Sequence, residues 1–186
     1  MGAFGPQDTS ILDYHPPILL LLCLAFCASP LPLIVQSYGR RAAANAAATV
    51  MLLLLVGFGL WWFPILNGQV EVQTVSWLTG IGLDIALRLD GLGFLFCLLI
   101  LGIGLLVVLY AYHYLPRKDT LGRFYAILLA FMSAMLGIVL SENIILLVFF
   151  WEITSLTSFL LVAYKYEYAE SQGGARLALA VTGGGG

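Results

Sequence analysis

Residues 143–164 read NIILLVFFWEITSLTSFLLVAY, an apolar run that contains one acidic residue, Glu152. About 20 mostly apolar residues are enough for a helix to cross the hydrocarbon core of a bilayer. A carboxylate at mid-bilayer costs roughly 2.5–3.5 kcal/mol even on a lenient insertion scale, so it must face protein or water rather than lipid. The run therefore predicts a transmembrane helix, and Glu152 indicates either an ion or proton pathway or a carboxylate buried for packing alone.

The composition of the whole chain has the same apolar character. Of its 186 residues, 61% are hydrophobic and 10% are charged, whereas soluble domains have about 45–50% apolar and about 25% charged residues. The eight basic residues are not clustered as a phosphate-binding surface requires. The composition predicts an all-α integral membrane protein in a lipid bilayer and excludes nucleic acid as a partner.

Five apolar runs are long enough to span a membrane. They are Pro17–Tyr38, Ala43–Leu66, Gly91–Leu115, Leu121–Leu140 and Asn143–Tyr164. Pro30 and Pro32 predict a bend or break in the first helix. A sixth run begins near Gly174 but stops in four glycines, which is too short to span. We therefore expect this chain to be an incomplete part of a larger protein, or its last helix to be completed by another molecule.

The connection between the second and third helices, residues 67–90, predicts a β-hairpin. Residues before Gly80 and after Gly82 alternate with period two, and the apolar residues of the second half share one face. These apolar residues are Leu83, Ile85, Leu87 and Leu89. Because a two-stranded hairpin is marginally stable alone, we expect it to pack over helix ends or over a partner subunit.

The basic residues are distributed unevenly among the connections. Seven fall after the first, third and fifth helices, and only Arg88 falls in the other connections. The seven are Arg40, Arg41, Arg117, Lys118, Arg123, Lys165 and Arg176. Since connections rich in Lys and Arg face the cytoplasm, the N-terminus and the hairpin are predicted to lie outside. Residues 1–15 carry no Lys or Arg, so the first run is not predicted to be a cleaved signal peptide.

Hydroxyl side chains surround the acidic residue of the fifth helix. Ser155 lies three residues after Glu152 on the same side, and Thr154 and Ser158 extend a polar arc. Hydroxyls can hold water or relay protons from a carboxylate. The alternative is that they bond to their own backbone four residues earlier, as is common in membrane helices. We name Glu152 and Ser155 as the predicted proton-translocation pair, with Trp151, Thr154 and Ser158 on a possible path.

Two more residues are candidates for that path. Asp90 begins the third helix and is either an N-cap or the outer mouth of an ion path. His113 lies in an aromatic belt at the end of the same helix and is either an interfacial anchor or a proton relay. The sequence contains no phosphate-binding loop or metal cluster, so we predict no cofactor and no metal. Cys23 and Cys27 are interpreted as buried small hydrophobes.

Several segments resemble the antiporter-like membrane subunits found in respiratory complex I and in Mrp-type multisubunit Na⁺/H⁺ antiporters. These segments are Leu89-Asp90-Gly91-Leu92, Phe150-Trp151-Glu152-Ile153-Thr154-Ser155-Leu156, Ser158-Phe159-Leu160-Leu161 and Thr182-Gly183-Gly184. The Trp-Glu followed by Thr-Ser-Leu-Thr-Ser is most similar to the large A-type subunit of the Mrp antiporters. The resemblance covers about residues 83–186, and the first two helices more loosely.

The resemblance implies a function and an organisation. In this family the glutamate of helix 5 pairs with a lysine on helix 7, and protonation of the pair moves protons between two half-channels. It implies Na⁺ and H⁺ as the ions, further membrane subunits as partners, and the bacterial cytoplasmic membrane as the location. Residues 1–66 would be the N-terminal helices, 67–90 the extracytoplasmic hairpin, and 91–186 the incomplete start of the proton-translocating repeat.

The sequence is compatible with two other functions. The chain is also compatible with the equivalent proton-pumping subunit of a redox-driven complex, of the NADH–quinone oxidoreductase or membrane-bound hydrogenase type. A third alternative is a structural anchor that transports nothing. Both transport alternatives depend on Glu152, whereas the anchor predicts that replacing Glu152 with Gln has no effect.

Overall fold

The structure is a computed structural model that describes residues 16–78, 83–115 and 120–165. The elements in these ranges are α1 (Ile18–Ala28), α2 (Leu31–Val35), α3 (Arg40–Gly59), α4 (Trp62–Leu66), β1 (Glu71–Leu78), β2 (Leu83–Leu89), α5 (Gly91–Tyr114), α6 (Leu121–Leu140) and α7 (Ile144–Val162). Short 3-10 turns occupy Gln36–Tyr38 and Ala163–Lys165. Within these ranges five segments are long and apolar enough to cross a membrane, which confirms the predicted helical membrane class. The sixth apolar run lies outside the described residues.

The first span is broken where its prolines predicted a break. α1 ends at Ala28, and α2 begins at Leu31 after the N-cap Pro30. Proline has no N–H to donate to the carbonyl four residues earlier, so Pro30 leaves the Phe26 carbonyl without its helical donor. The backbone N–H and the hydroxyl of Ser29 both donate to that carbonyl, at 3.1 and 2.8 Å. These bonds satisfy a polar group that lipid could not.

The second span differs from its predicted bounds, Ala43–Leu66. α3 begins at Arg40, directly after Gly39, whose φ of 116° stops the preceding turn. It ends at Gly59, and the separate short helix α4 follows. The expectation of one continuous helix was wrong because Pro64 cannot donate to the carbonyl four residues earlier, and its ring clashes with that carbonyl.

α6 lies at the centre of the bundle and packs against α1, α2, α3, α5 and α7. Two glycines permit the close approaches. A Cβ on Gly137 would lie 2.5 Å from the ring of Phe150 on α7. A Cβ on Gly104 of α5 would overlap the Met132 side chain of α6. Without a hydrophobic driving force in lipid, such close van der Waals packing is a main source of helix association.

The predicted hairpin is present and covers one end of the bundle. β1 and β2 pair antiparallel, with Glu71 opposite Leu89 and an irregularity near Ser76. The side chains of Leu87 and Leu89 are 0% exposed, in contact with the bundle core. The hairpin is therefore an end cap for the helices, as its alternation predicted. We call this end of the bundle the hairpin end.

Hydrogen bonds join the hairpin to helices distant in sequence. The backbone N–H of Leu19 donates to Gln73 Oε1 at 3.1 Å. The N–H of Glu142, in the turn between α6 and α7, donates to the carbonyl of Ala86 at 3.0 Å. These bonds hold the hairpin against the starts of α1 and α7.

The opposite end, which we call the basic end, gathers the connections after the first, third and fifth spans. Arg40 donates to the carbonyl of Tyr112 at 3.0 Å and to that of Leu115, near the C-terminus of α5. Gly122 N–H donates to Gln36 Oε1 at 2.7 Å, which caps the start of α6. Among the described arginines, Arg40, Arg41 and Arg123 lie at this end, whereas Arg88 lies at the hairpin end.

Candidate functional site around Glu152

Glu152 lies close to the middle of α7. The helix begins after Asn143, whose side-chain Oδ1 accepts from the N–H of Ile145 at 2.9 Å. Glu152 is the ninth of its 19 residues, which places it about 12 Å along the axis at 1.5 Å per residue. In a hydrocarbon core of about 30 Å, this is near the midplane.

The face of α7 that carries Glu152 points away from the described bundle. Three residues share its side of the helix because of their spacing. Ile145 lies seven residues before Glu152, Phe149 lies three residues before it, and Leu156 lies four residues after it. They are 50%, 55% and 53% exposed, and Glu152 is partly buried among them. In the apolar stretch of α7 only 17% of residues are buried, against 50% in α6. We call this surface, Ile145, Phe149, Glu152 and Leu156, the open face of α7.

The carboxylate of Glu152 forms no hydrogen bond or ion pair with any other described residue. The described arginines of the bundle lie at its two ends. A lone carboxylate facing lipid at this depth is unfavourable, so it needs a polar or cationic neighbour or water. The open face is therefore where such a neighbour would lie.

The hydroxyls near Glu152 bond to the backbone of their own helix. Ser155 Oγ donates to the carbonyl of Trp151 at 3.2 Å, and Thr154 Oγ1 donates to that of Phe150 at 2.9 Å. Ser158 Oγ donates to the carbonyl of Ser155 at 2.9 Å. These bonds correspond to the alternative in which the hydroxyls bond to the backbone of their own helix. None of the three hydroxyls bonds directly to Glu152. Each hydroxyl oxygen keeps lone pairs that can accept from water.

Ser155 and Trp151 differ in their surroundings. Ser155 is buried on the side of α7 that contacts the bundle, whereas Trp151 is half exposed. Ser155 is therefore beside the open face rather than on it.

Asp90 is the N-cap of α5. Its Oδ1 accepts from the N–H of Gly93 at 2.8 Å, and its Oδ2 lies 3.6 Å from Arg88 Nε. Arg88 Nη1 in turn lies 3.7 Å from Glu142 Oε1. Arg88 therefore links the start of α5 to the turn before α7. Sequence spacing gave no signal of this link, because Arg88 and Glu142 are far apart along the chain.

His113 lies at the other end of α5. Its ring is exposed, and Nδ1 donates to the carbonyl of Leu109 at 3.2 Å. The 24 residues of α5 separate His113 from Asp90 by about 34 Å. The structure therefore does not bring Asp90, His113 and Glu152 into one cluster.

The cysteines do not all lie where the sequence predicted. Cys97 is buried in the core, but Cys23 and Cys27 are exposed on the outer surface of α1. The prediction that these two are buried was wrong, because an outer helix of a membrane bundle turns apolar residues toward lipid as readily as toward protein. In the described ranges, no three His, Cys, Asp or Glu side chains are close enough to hold a metal ion.

The fold and the site define a class: a multi-pass helical membrane protein with a carboxylate at mid-membrane. The family model described as NADH-Ubiquinone oxidoreductase (complex I), chain 5 N-terminus, matches residues 74–125. The A/B subunit of a probable K⁺/H⁺ antiporter of Rhizobium meliloti (strain 1021) is 41% identical over 182 residues, which is 97% of this chain and 18% of the relative. The A1 subunit of the Na⁺/H⁺ antiporter of Staphylococcus aureus (strain JH9) is 50% identical over 117 residues, 63% of this chain and 15% of the relative.

Two solved structures share the fold. The Mrp complex from Dietzia sp. DQ12-45-1b matches with a TM-score of 0.67 and 30% identity, over 78% of this chain and 16% of that chain. The membrane-bound sulfane sulfur reductase, an archaeal respiratory membrane complex, matches with a TM-score of 0.64 over 87% of this chain and 25% of that chain. Its 20% identity shows a common fold alone.

These similarities confirm the resemblance predicted from the motifs. The chain is similar to the N-terminal region of the large A-type subunit of the Mrp antiporters and to the antiporter-like subunit of complex I. It spans less than one fifth of the length of the curated relatives described here.

Proposed function

We propose that this chain is the N-terminal part of the large A-type subunit of a multisubunit monovalent cation/proton antiporter, a secondary transporter rather than an enzyme. The observation that carries the proposal is the 41% identity over 182 residues with a subunit of a probable K⁺/H⁺ antiporter. Na⁺ and H⁺ are the proposed ions. The proposed location is the bacterial cytoplasmic membrane with the N-terminus outside, which the gathering of Arg40, Arg41 and Arg123 at one end supports.

Glu152 is the proposed proton carrier. Removal from water favours the protonated carboxyl and a nearby cation favours the ionised one, so a carboxylate subject to both can exchange protons. The mid-helix position of Glu152 and the open face around it support this role. We propose that a further helix or membrane subunit supplies the neighbour that covers the open face.

The remainder of the proposed path follows from the predictions. Ser155 is its second member, and Trp151, Thr154 and Ser158 extend it along α7. Asp90 is proposed at its outer mouth and His113 as a proton relay, and the two lie at opposite ends of α5. Residues 67–90 are proposed as an extracytoplasmic cap, and residues from 91 onward as the start of the proton-translocating repeat.

The test is replacement of Glu152 in the complete complex. Glu152→Gln keeps the size and hydrogen bonding but cannot exchange a proton, so we expect most cation-driven proton movement in everted vesicles to be lost at normal subunit content. Glu152→Asp retains a carboxyl group but places it about 1.5 Å closer to the backbone, so part of the activity should remain. Glu71→Gln is the matched control, because it makes the same change in the hairpin, outside the spans. Full activity of Glu152→Gln, with subunit content verified by blotting, supports the structural anchor instead.

The second candidate is the equivalent subunit of a redox-driven complex. The match of residues 74–125 to the complex I family favours it. Purification of the native complex separates the two. Small membrane subunits alone support the antiporter, whereas iron–sulfur or flavin subunits support the redox-driven complex.

A further inference from the structure

A groove runs between α3 and α5 at the basic end. It encloses about 210 Å³ and is lined by Arg41, Asn45 and Ala48 of α3 and by Leu109 and Tyr112 of α5, among others. Its walls are mostly apolar, and its polar groups are concentrated toward the end of the bundle. It lies apart from Glu152, which is on α7. None of the residues that line it belongs to the proposed proton path.

The polar groups of the groove form a short series of donors. Arg41 Nε donates to the Tyr112 hydroxyl at 3.3 Å, which holds the guanidinium at the mouth. The two Nη groups of Arg41 have no partner within the described ranges and are exposed. Arginine presents paired donors that match a phosphate group.

Asn45 is the second polar group, and it is the more informative one. It lies four residues after Arg41 on the same face of α3, about 6 Å deeper into the span. Its side chain is exposed and has no hydrogen-bond partner in the described part of the chain. An amide facing pure hydrocarbon is unfavourable, so a polar neighbour is expected there.

We propose that the groove binds an anionic phospholipid. The phosphate pairs with Arg41, an ester carbonyl near the glycerol accepts from the Asn45 amide one helical turn deeper, and an acyl chain lies over Ala48 and Leu109. The order of these groups, from charged to polar to apolar with increasing depth, matches the order along a phospholipid. Basic pockets between membrane helices on the cytoplasmic side recognise such headgroups.

The test places a reporter directly below the groove. Leu52 is half exposed and lies one turn deeper than Ala48 on the same face. It is replaced by Cys and labelled with an environment-sensitive fluorophore in a complex from which Cys23, Cys27, Cys97 and every other cysteine have been removed. The complete complex is placed in phosphatidylcholine vesicles, and brominated phosphatidylglycerol or brominated phosphatidylcholine is titrated in. Bromine quenches the fluorophore only when an acyl chain lies against it.

We expect phosphatidylglycerol to quench at about fivefold lower mole fraction than phosphatidylcholine, the factor given by one basic residue near an anionic surface. Arg41→Gln should abolish this preference, and Asn45→Ala should weaken it. Arg123→Gln, which removes an exposed charge at the same end but outside the groove, should leave it unchanged. Inorganic phosphate should not compete, since it has no acyl chain.

Two results would overturn the proposal. Equal quenching by the two lipids means that the groove does not select an anionic headgroup. Absence of quenching by either lipid means that protein, such as another subunit or another segment of this one, covers the groove. Size-exclusion profiles of each variant complex distinguish a lost lipid site from lost assembly.

Discussion

At the scale of single residues, Glu152 and Ser155 have different surroundings on α7. Glu152 is on the open face between exposed apolar side chains, while Ser155 is buried toward the bundle. The hydroxyl proton of Ser155 is already donated to the Trp151 carbonyl. Of the predicted pair, therefore, only Glu152 has a functional group with no protein partner within the described residues.

This difference predicts a modest effect for Ser155→Ala. The Trp151 carbonyl keeps its helical backbone donor, and water can replace one hydroxyl on a wet path, so we expect most transport activity to remain. Ser133→Ala is the matched control, because Ser133 is also buried and donates to the carbonyl four residues earlier, but on α6. Transport is measured as cation-driven pH change in everted vesicles. A loss as large as that of Glu152→Gln would contradict the assigned minor role.

At the scale of elements, the contact between α6 and α7 depends on Gly137. A Cβ at this position would lie 2.5 Å from the ring of Phe150, which is buried and stacked on Phe26 at 5.8 Å between centroids. Because the ring is buried and must move to make room for the methyl group, Gly137→Ala should cost about 1–3 kcal/mol. It should also shift α7, and with it Glu152.

Gly102→Ala is the control for this change. A Cβ on Gly102 of α5 meets no atom within 4 Å, and alanine favours a helix over glycine. We expect Gly137→Ala to lower the midpoint of thermal unfolding of the detergent-solubilised complex, and Gly102→Ala to leave it unchanged or raise it. Fluorescence-detected size exclusion after heating measures both. Equal unfolding midpoints for Gly137→Ala and Gly102→Ala would contradict the prediction, because they would show that the contact between α6 and α7 tolerates the added methyl group.

Much at the element scale was predictable from the sequence because it depends on local chemistry. Apolar length specifies the five spans, proline specifies the break after α1, and period-two alternation specifies the hairpin. The division of the second span at Leu60 was missed, although Pro64 was a visible signal of it. Asn45, a polar residue inside an apolar run, had the same kind of signal as Glu152 but was not singled out.

The remainder of the site depends on the packing of distant segments, which local patterns do not contain. Whether the Ser155 hydroxyl turns to Glu152 or to Trp151 depends on a side-chain rotamer. The link from Arg88 to Glu142 joins residues that two spans separate along the chain. The outward position of Cys23 and Cys27 depends on which face of α1 the other helices leave uncovered.

At the scale of the whole molecule, the two ends of the bundle differ in charge and in structure. The hairpin covers one end, and Arg40, Arg41 and Arg123 surround the other. We expect Ser76→Cys in the hairpin to react with a membrane-impermeant maleimide from outside the cell, and Thr120→Cys to react only in everted vesicles. Both side chains are exposed.

Each of these variants is made without Cys23, Cys27, Cys97 and every other cysteine of the complete complex, so that a single thiol reports. Agreement with the expected pattern places the hairpin outside and the groove between α3 and α5 in the inner leaflet. Reaction of both thiols from the same side would contradict the alternation of the five spans. Reaction of each from the opposite side would invert the proposed orientation while leaving the fold intact.

The way the hairpin is held has a consequence for how the protein is made. Leu87 and Leu89 emerge from the ribosome well before the turn at Glu142, to which the hairpin bonds. About 50 residues must still be synthesised, which takes about 3–10 seconds at the usual rates. During that interval β2 lacks its contacts with α6 and α7, so part of its apolar surface stays uncovered. Packing of α6 and α7 against β2 completes the protection of the hairpin, so we expect a nascent chain that stalls before α7 to be prone to aggregation.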